Sequence, residues 1–420
     1  MTASFSLSSR QHPADSTSPV FTKRFIALFI SAICTGPVFA DALPSGATVA
    51  AGQVSIGQQG SAVTVNQSSS NAIVNWNSFS VGKGNSVEFV QPSSSSAILN
   101  RVTGSTKSTI AGSIKANGQV YLINPNGIAI TPGGTVKTGG GFVASTLDIK
   151  DEDFLKGKRV FTGKGSSAEV SNAGVISVGR GGYAALIGGN VKNDGLINVP
   201  VGKVGLGAGE SATLDLSGDG FLQVAVPGHS EAKEALIQNS GTISAQGGSV
   251  VMTAATARNA ARNAINLSGV VEADSVSGQN GSIVIGGGEG GNVAISGTLS
   301  AKSTDGKGGN ITVSGDKIAL AGANVNASGN TGGGTVLIGG ERQGKGTLQR
   351  ASTTDIDSAS RITADATRQC NARDVVVWSD NKTTFTAQLS ARGAGKGRGG
   401  DAELSAHTKL AYNRSTDPCS

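Results

Sequence analysis

Short runs of alternating apolar and polar residues recur along most of this chain. A polar turn followed by an apolar pair returns five times between residues 172 and 299, as NAGVI, NDGLI, NSGTI, LSGVV and ISGTL. Each is joined to a Gly-rich start and a run of β-forming residues, as in GGYAALIGG (181–189), GGSVVMTA (247–254) and GGTVLIGG (333–340). Alternation with a period of two predicts short strands that bury one face.

These units follow one another at regular intervals. Gly174 and Gly195 are 21 residues apart, and Gly241, Gly269 and Gly297 follow one another at intervals of 28. Such periods are typical of stacked repeats, because a coil of about 20 residues holds two or three short strands but cannot bury its own inner face. We therefore predict an all-β fold, a right-handed parallel β-helix (solenoid), with the handedness usual for crossovers between parallel strands.

Other repetitive folds fit the pattern less well. The repeats of a β-propeller are longer, at roughly 40–50 residues. Collagen needs glycine at every third position, and the calcium-binding nonapeptide solenoid needs an aspartate that GGEGGNVAI (287–295) lacks. These differences favour the β-helix.

Several segments interrupt the strand pattern. DIKDEDFLKGKR (148–159) predicts a turn with a short helix on the outside of the solenoid, and ARGAGKGRGG (391–400) predicts a flexible basic turn. TAATARNAARNAI (253–265) has Ala-rich helical spacing with Thr253 as a candidate N-cap. We expect the segments 148–159 and 253–265 as small excursions from the β-helix.

The most hydrophobic stretch, VYLINPNGIAI (120–130), is itself interrupted by Asn124-Pro125-Asn126-Gly127. Asn, Pro and Gly occupy the positions that a type I β-turn prefers. The pattern predicts a sharp corner of a coil at this point.

Composition agrees with a repetitive β protein. Of 420 residues 63 are glycine, 4% are aromatic and 15% are charged, while the 37% apolar content is too high for a disordered chain. Glycine, serine, threonine, asparagine and valine favour short strands and tight turns.

The N-terminus predicts export. Lys23-Arg24 form a basic region, residues 25–33 (FIALFISAI) form an apolar core too short to span a membrane, and residues 38–40 form a small-x-small site. We expect cleavage between Ala40 and Asp41 after engagement of the general export machinery.

The remaining chain gives little sign of a polyanionic partner. Removal of residues 1–40 takes away Arg10, Lys23 and Arg24 against Asp15, which lowers the formal net charge from +6 to +4. This is a small charge for such a length, and we expect no nucleic-acid partner. Cys370 and Cys419 either pair or stay free, so the fold does not rely on disulfides.

Four motifs in fixed order carry a resemblance to a known family. They are NAIVNWNSFSVG (71–82), AILNRVTG (97–104), VYLINPNGIAI (120–130) and GGGFVASTLDI (139–149). Their order resembles the N-terminal secretion domain of filamentous-haemagglutinin-type exoproteins, which are substrates of two-partner secretion in Gram-negative bacteria. The later repeats are also similar to repeats of that family.

The resemblance implies a right-handed β-helix that leaves the periplasm through an outer-membrane β-barrel transporter with periplasmic recognition modules. It also implies residues for transporter recognition or for folding, carried over by motif: Asn75, Trp76, Asn77, Asn100, Arg101, Asn124, Pro125, Asn126, Gly127 and Ile128.

Structural roles compete with recognition at these positions. Asn124 to Gly127 either shape the coil or contact the transporter. Trp76 is expected to cap the open end of the hydrophobic core, because solenoids need capping. Arg101 is expected to form a local salt bridge or to hold a carbonyl group.

Signals of catalysis are weak. His12 lies in the signal region, and His229 and His407 sit in no metal-binding spacing. GGERQGKG (339–346) resembles a phosphate-binding loop but has Gly346 where serine or threonine would hold Mg²⁺, so we predict a repeat turn. We expect no catalytic residue, no metal site, no cofactor and no enzymatic activity.

The favoured prediction is a secreted or surface, adhesin-like structural exoprotein, with a host-cell or surface glycan receptor as a further partner. The alternatives are a haem-utilisation or toxin-delivery exoprotein of the same export class, and a β-helix polysaccharide lyase or hydrolase. Four regions are expected: a signal peptide (1–40), a two-partner secretion domain (41–160), a β-helix repeat region (161–400) and an irregular C-terminus (401–420). Because the repeats fade there, we expect a truncated form of a longer exoprotein.

Overall fold

Each repeat unit forms one coil of a right-handed parallel β-helix, which confirms the predicted fold class. The computed structural model describes residues 42–165, 168–217, 220–227, 234–257, 262–276, 278–368 and 371–413. The predicted cleavage site at Ala40 and Asp41 lies outside this range, as do His229, Cys370 and Cys419.

The strands are short, and most of them begin at a glycine-rich or polar turn. In the first coils the elements are β1 Thr48–Ala51, β2 Val54–Gln59, β3 Ala62–Gln67, β4 Asn71–Trp76, β5 Ser86–Val90, β6 Ala97–Val102, β7 Ser108–Ile110, β8 Ser113–Ala116, β9 Gln119–Ile123, β10 Ile128–Ile130, β11 Thr135–Thr138, β12 Gly141–Ser145, β13 Asp148–Ile149, α1 Asp151–Leu155 and β14 Val160–Thr162.

The same pattern continues through the middle of the chain. The elements are β15 Glu169–Asn172, β16 Val175–Val178, β17 Tyr183–Gly188, β18 Asn190–Asn193, β19 Leu196–Asn198, β20 Lys203–Ala208, β21 Ser211–Leu214, β22 Leu222–Val226, β23 Ile237–Asn239, β24 Thr242–Ser244, β25 Ser249–Ala254, β26 Arg262–Leu267 and β27 Val270–Glu272.

In the last coils a 3₁₀ turn, Arg342–Gly344, stands between two strands. The strands are β28 Ser282–Gly286, β29 Gly291–Ile295, β30 Thr298–Ser300, β31 Asn310–Ser314, β32 Lys317–Leu320, β33 Asn324–Asn326, β34 Thr335–Ile338, β35 Thr353–Ile356, β36 Arg361–Thr363, β37 Val375–Val377, β38 Lys382–Phe385, β39 Gln388–Ser390, β40 Ala402–Leu404 and β41 Lys409–Tyr412.

Successive strands of a coil lie on three different faces. The first face has the order β1-β4-β6-β9-β12-β17-β20-β25-β28-β31-β34-β37-β40, and the second has the order β7-β10-β15-β18-β23-β26-β29-β32-β35-β38-β41. The third face has the order β2-β3-β5-β8-β11-β16-β19-β24-β27-β30-β33-β36-β39. Apart from β1 and β2, which pair antiparallel with β4 and β3, the neighbours on all three faces are parallel.

The inward side chains of all three faces form one continuous apolar core. A short ladder of buried asparagines interrupts it on the second face: the Asn172 amide donates to Asn193 Oδ1 at 2.8 Å, and the Asn193 amide donates to Asn239 Oδ1 at 2.7 Å. Because the side chains satisfy one another, the ladder fixes the register of three coils without leaving a buried polar group unpaired.

The N-terminal end of this core is covered by residues that come before the first parallel coil. Leu43, Val54 and Ile56 pack against it. The prediction that Trp76 caps the open end is wrong, because Trp76 is only 1% exposed and lies among the buried core residues. Leu43 and the antiparallel strand β2 supply the cover instead.

A separate antiparallel sheet packs on the outside of the first face. Its order is β13-β14-β21-β22, and we call it the side sheet. Between it and the first face lies a second apolar cluster, to which helix α1 contributes Phe154. The predicted helix within residues 148–159 is thus confirmed. Arg159 lies 4.9 Å above the Tyr121 ring and donates to the Tyr121 hydroxyl, which also contacts Tyr183.

The predicted helix at 253–265 is wrong. Residues 253–254 end β25 and residues 262–265 begin β26, and residues 258–261 lie outside the described part. Strand β25 pairs with β20 over its whole length and with β28 from Ser249 to Thr253. Pairing on both edges outweighs a local helix preference of a few tenths of a kcal/mol per residue.

Within the described residues, no helix has the length and apolar character needed to cross a bilayer.

Candidate functional site

The Asn124–Gly127 corner is a hydrogen-bonded turn between two faces of one coil. It joins β9 on the first face to β10 on the second, and Gly127 N–H donates to the Asn124 carbonyl at 3.0 Å. Gly127 has φ +108°, which side chains with a Cβ rarely adopt. Ile128, directly after it, is fully buried in the core.

The Asn124 side chain is completely buried and all of its hydrogen-bonding capacity is used. Its amide donates to the Thr106 carbonyl and to Ser108 Oγ, each at 2.9 Å. Its Oδ1 accepts from the backbone N–H and from the side-chain amide of Asn126, also at 2.9 Å. Asn124 therefore ties the corner to the preceding coil.

Pro125 and Asn126, by contrast, face solvent. The Asn126 amide also donates to the carbonyl of Gly104, in the corner of the preceding coil, at 2.9 Å. Gly104 in turn packs on the backbone of Asn77 so closely that a Cβ would clash with the Asn77 carbonyl oxygen. Three motifs that are distant in sequence thus meet along one edge of the solenoid.

We call this edge the asparagine corner and define it as Asn77, Gly104, Asn124, Pro125 and Asn126. The Asn77 side chain is exposed, and its backbone N–H donates to the Ser45 carbonyl at 2.9 Å. The exposed side of the corner consists of Asn77, Pro125 and Asn126, and Asn124 lies buried beneath it.

Trp76 and Asn100 lie inside the β-helix rather than at this edge. Trp76 Nε1 donates to Asn100 Oδ1 at 3.0 Å, and the Asn100 amide donates to the Tyr121 carbonyl at 3.3 Å. Trp76 also packs edge-to-face on Phe79. These contacts satisfy a buried indole and a buried amide and place both residues in the core.

Arg101 anchors the start of α1 and of the side sheet to the first face. Its guanidinium lies 2.9 Å from Asp148 Oδ1 and 2.7 Å from Asp151 Oδ1, and it donates to the Ile149 carbonyl at 2.7 Å. Burial alone would lower the pKa of Arg101, but its hydrogen bonds and charge attraction to Asp148 and Asp151 raise that pKa above its ordinary value. Both predicted contacts, a salt bridge and a carbonyl group, are confirmed.

Asn75 lies in the same outward column, directly beside Arg101 on the neighbouring strand. Its Oδ1 is 3.5 Å from Arg101 Nη1 and its side chain is half-buried. Asn75 therefore belongs to the Arg101 cluster and not to the exposed side of the asparagine corner.

Several residues that complete these contacts are not among the predicted site residues. Thr106 and Ser108 hold Asn124, and Asp148 and Asp151 hold Arg101. The charged segment 148–159 was a signal for a surface excursion. No local pattern pairs its carboxylates with an arginine that lies 47 residues earlier.

Comparison with known families decides the classification. The profile of the TPS secretion domain matches residues 40–301, well over half of the chain. The chain belongs to the TPS secretion domain family. A TPS secretion domain directs the export of secreted exoproteins across the outer membrane with a transporter as partner.

A solved structure shows the same fold. The crystal structure of the HMW1 secretion domain from Haemophilus influenzae is 33% identical, with a TM-score of 0.79, and the match covers 89% of this chain and 97% of that one. Residue 160 lies in the side sheet, and β12 pairs directly with β17, so the stack of coils continues past this excursion.

Two longer relatives are heme/hemopexin-binding proteins of Haemophilus influenzae. One is 32% identical over 269 residues, which are 62% of this chain and 29% of that protein. The other is 29% identical over 284 residues, which are 62% of this chain and 30% of that protein. The matched part of this chain thus spans less than a third of the length of either relative.

Proposed function

We propose that this chain is an adhesin-like secreted exoprotein. Its partner in export is an outer-membrane β-barrel transporter whose periplasmic recognition modules bind the asparagine corner. The observation that carries the proposal is the match to the TPS secretion domain across residues 40–301. Under this proposal the signal peptide is removed after Ala40, and the protein ends in the medium or on the cell surface.

The division of the asparagine corner supports this recognition role. Asn124 has every polar atom of its side chain occupied, so it is available to shape the coil but not to bind a partner. Asn77, Pro125 and Asn126 are exposed and lie side by side across three coils. Hydrogen bonds hold the turn that carries Pro125 and Asn126, and a preorganised turn loses little conformational entropy on binding.

The export proposal is tested by producing the full chain in cells with and without its transporter. We expect the protein in the medium only when the transporter is present, and accumulation or degradation in the periplasm when it is absent. A cytoplasmic marker protein controls for lysis. Equal amounts in the medium under both conditions would refute the proposal.

A second candidate function, haem or hemopexin binding, is favoured by the names of two relatives. Haem iron in proteins is held by histidine, cysteine, methionine or tyrosine. His407 is exposed and lies between β40, the last strand of the first face, and β41. It is therefore accessible to a ligand.

Titration of the full chain with hemin tests this candidate. If the chain binds haem through its histidines, the Soret band shifts at a stoichiometric ratio, and the His229→Ala/His407→Ala variant loses the shift. A spectrum that equals the sum of the spectra of free hemin and of the protein would exclude haem binding by this chain. Hemopexin binding is tested separately, by co-purification of hemopexin with the immobilised chain.

A further inference from the structure

A groove runs along the outer surface of the second face, across five coils. It has a volume of about 640 Å³ and lies over strands β23, β26, β29, β32 and β35. One outward column supplies its floor and its two ends, in the order Gln238, Asn266, Ala294, Ala319 and Asp355. The two central positions are alanines between longer polar side chains, so the surface is depressed over two neighbouring coils.

Polar side chains surround the alanine floor. Asn263, Asn292, Lys317 and Thr353 stand in the neighbouring outward column and form one wall. Glu234 lies at one end, where its carboxylate accepts a hydrogen bond from the Gln238 amide at 3.0 Å. Amides, a hydroxyl, an ammonium and carboxylates therefore all face one shallow space.

Three of these groups are available for a ligand. Among the described residues, the side chains of Asn266, Lys317 and Asp355 have no hydrogen-bond or ion-pair partner, and all three are exposed. Elsewhere on the same coils, surface aspartates are engaged: Asp357 accepts from Gly322 N–H and from Ser360 Oγ, and Asp274 pairs with Lys302. The groove thus brings together hydrogen-bond donors and acceptors that have no partner among the described residues.

The chemistry of the lining selects the class of ligand. Each groove strand has a partner on both sides, so no free strand edge is left for an extended peptide. One lysine stands against two carboxylates, Glu234 and Asp355, which disfavours a polyanion. Hydroxyl-rich, uncharged rings fit this lining, because their apolar faces can pack on alanine methyl groups while their hydroxyls exchange hydrogen bonds with the walls.

We propose that this groove binds a neutral oligosaccharide along the solenoid axis. Neighbouring strands are about 4.8 Å apart, so equivalent polar positions repeat along the groove at that spacing. A linear sugar chain presents hydroxyl groups in a similar repeating manner. The proposal goes beyond the export function and does not depend on it, since the groove lies on coils far from the asparagine corner in sequence.

Binding of defined sugars to the purified full chain tests the proposal. Cellotetraose, chitotetraose and lacto-N-neotetraose are titrated separately by calorimetry, with a heparin tetrasaccharide as the polyanionic comparison. We expect at least one neutral tetrasaccharide to bind at a single site, more tightly than the heparin fragment. No binding of any neutral tetrasaccharide, or preferred binding of heparin, would overturn the proposal.

Two variants locate the binding site. Ala319→Gln fills the floor of the groove, and Asp355→Ala removes a charged acceptor; each is expected to weaken binding about tenfold or more. Ala129→Gln makes the same change at an outward position of β10 on the same face, outside the groove, and is expected to bind as the unmodified chain does. Unchanged secretion of the Ala319→Gln and Asp355→Ala variants separates this site from export. Equal binding by all three variants would refute the location.

Discussion

At the scale of single residues, the asparagines of the secretion motifs have two different roles. Asn100 and Asn124 are fully buried and satisfy other buried polar groups, whereas Asn77 and Asn126 are exposed. Sequence motifs do not distinguish these roles because the residue type is the same. The burial of each side chain distinguishes the two roles, since only an exposed side chain can contact a partner without unfolding the coil.

Substitution of Asn124 is expected to destabilise the fold. Asn124→Ala removes four hydrogen bonds and leaves the Thr106 carbonyl and Ser108 Oγ without this partner, which costs about 2–4 kcal/mol. The change in the free energy of unfolding is measured by urea denaturation of the purified chain.

Asn126→Ala is the matched control for this measurement. The Asn126 side chain is exposed and its hydrogen bonds compete with water. We therefore expect the free energy of unfolding to fall by less than about 1 kcal/mol. Equal destabilisation by the two substitutions would contradict the division of the asparagine corner into a buried and an exposed part.

The turn at Asn124 could be predicted from the sequence, but its partners could not. Asn, Pro and Gly at their positions specify a β-turn locally. Thr106 and Ser108 lie 18 and 16 residues earlier, and their approach to Asn124 depends on the register between two coils. Register is set by the whole stack and not by any one motif.

At the scale of elements, Arg101 connects the side sheet and α1 to the β-helix. Two carboxylates and one carbonyl of residues 148–151 converge on its guanidinium. The side chains of Asp148 and Asp151 are 40% and 47% exposed, so each ion pair alone contributes little. The anchor depends on all three contacts together.

Loss of this anchor is expected to open the segment around α1. Arg101→Met removes the three contacts, and we expect limited proteolysis within residues 150–165 to become about tenfold faster, since lost hydrogen bonds and ion pairs favour the open state. Mass spectrometry of the first fragments identifies the cleavage site.

Arg361→Met serves as the control, because Arg361 is exposed on the third face and has one side-chain hydrogen bond, to Gln388. We expect this variant to be cleaved at the unmodified rate. If Arg101→Met also left cleavage within residues 150–165 unchanged, Arg101 would not be the anchor.

Local sequence pattern succeeded at one excursion and failed at another. The charged segment 148–159 has no partner strands within its helical part, so its own preference decides and a short helix forms. At 253–265 the neighbouring coils offer strands on both sides, and ladder pairing overrides the alanine-rich pattern. Propensity predicts structure where tertiary contacts are weak.

At the scale of the whole molecule, the period of the repeats was sufficient to predict the stack of coils. Every coil repeats the same inward alternation, so one unit describes most of the core. The side sheet could not be predicted in this way. It combines strands from 148–162 with strands from 211–226, and their pairing depends on both segments lying on the same outer surface.

We propose that the transporter recognises the exposed side of the asparagine corner. The most direct test is the secretion of Asn77→Arg, because Asn77 is exposed and its side chain has no hydrogen-bond partner among the described residues. The control is Asn381→Arg, at an exposed turn near the other end of the solenoid. Secretion per cell is measured with the transporter present, beside the refolding rate of each purified protein.

Asn77→Arg is expected to lower secretion about tenfold, which corresponds to a loss of about 1.4 kcal/mol of binding free energy, while its refolding rate stays unchanged. Asn381→Arg is predicted to be secreted and to refold as the unmodified chain does. Secretion of Asn77→Arg at the unmodified level, or a loss of secretion matched by an equal loss in refolding rate, would show that the transporter does not recognise this corner.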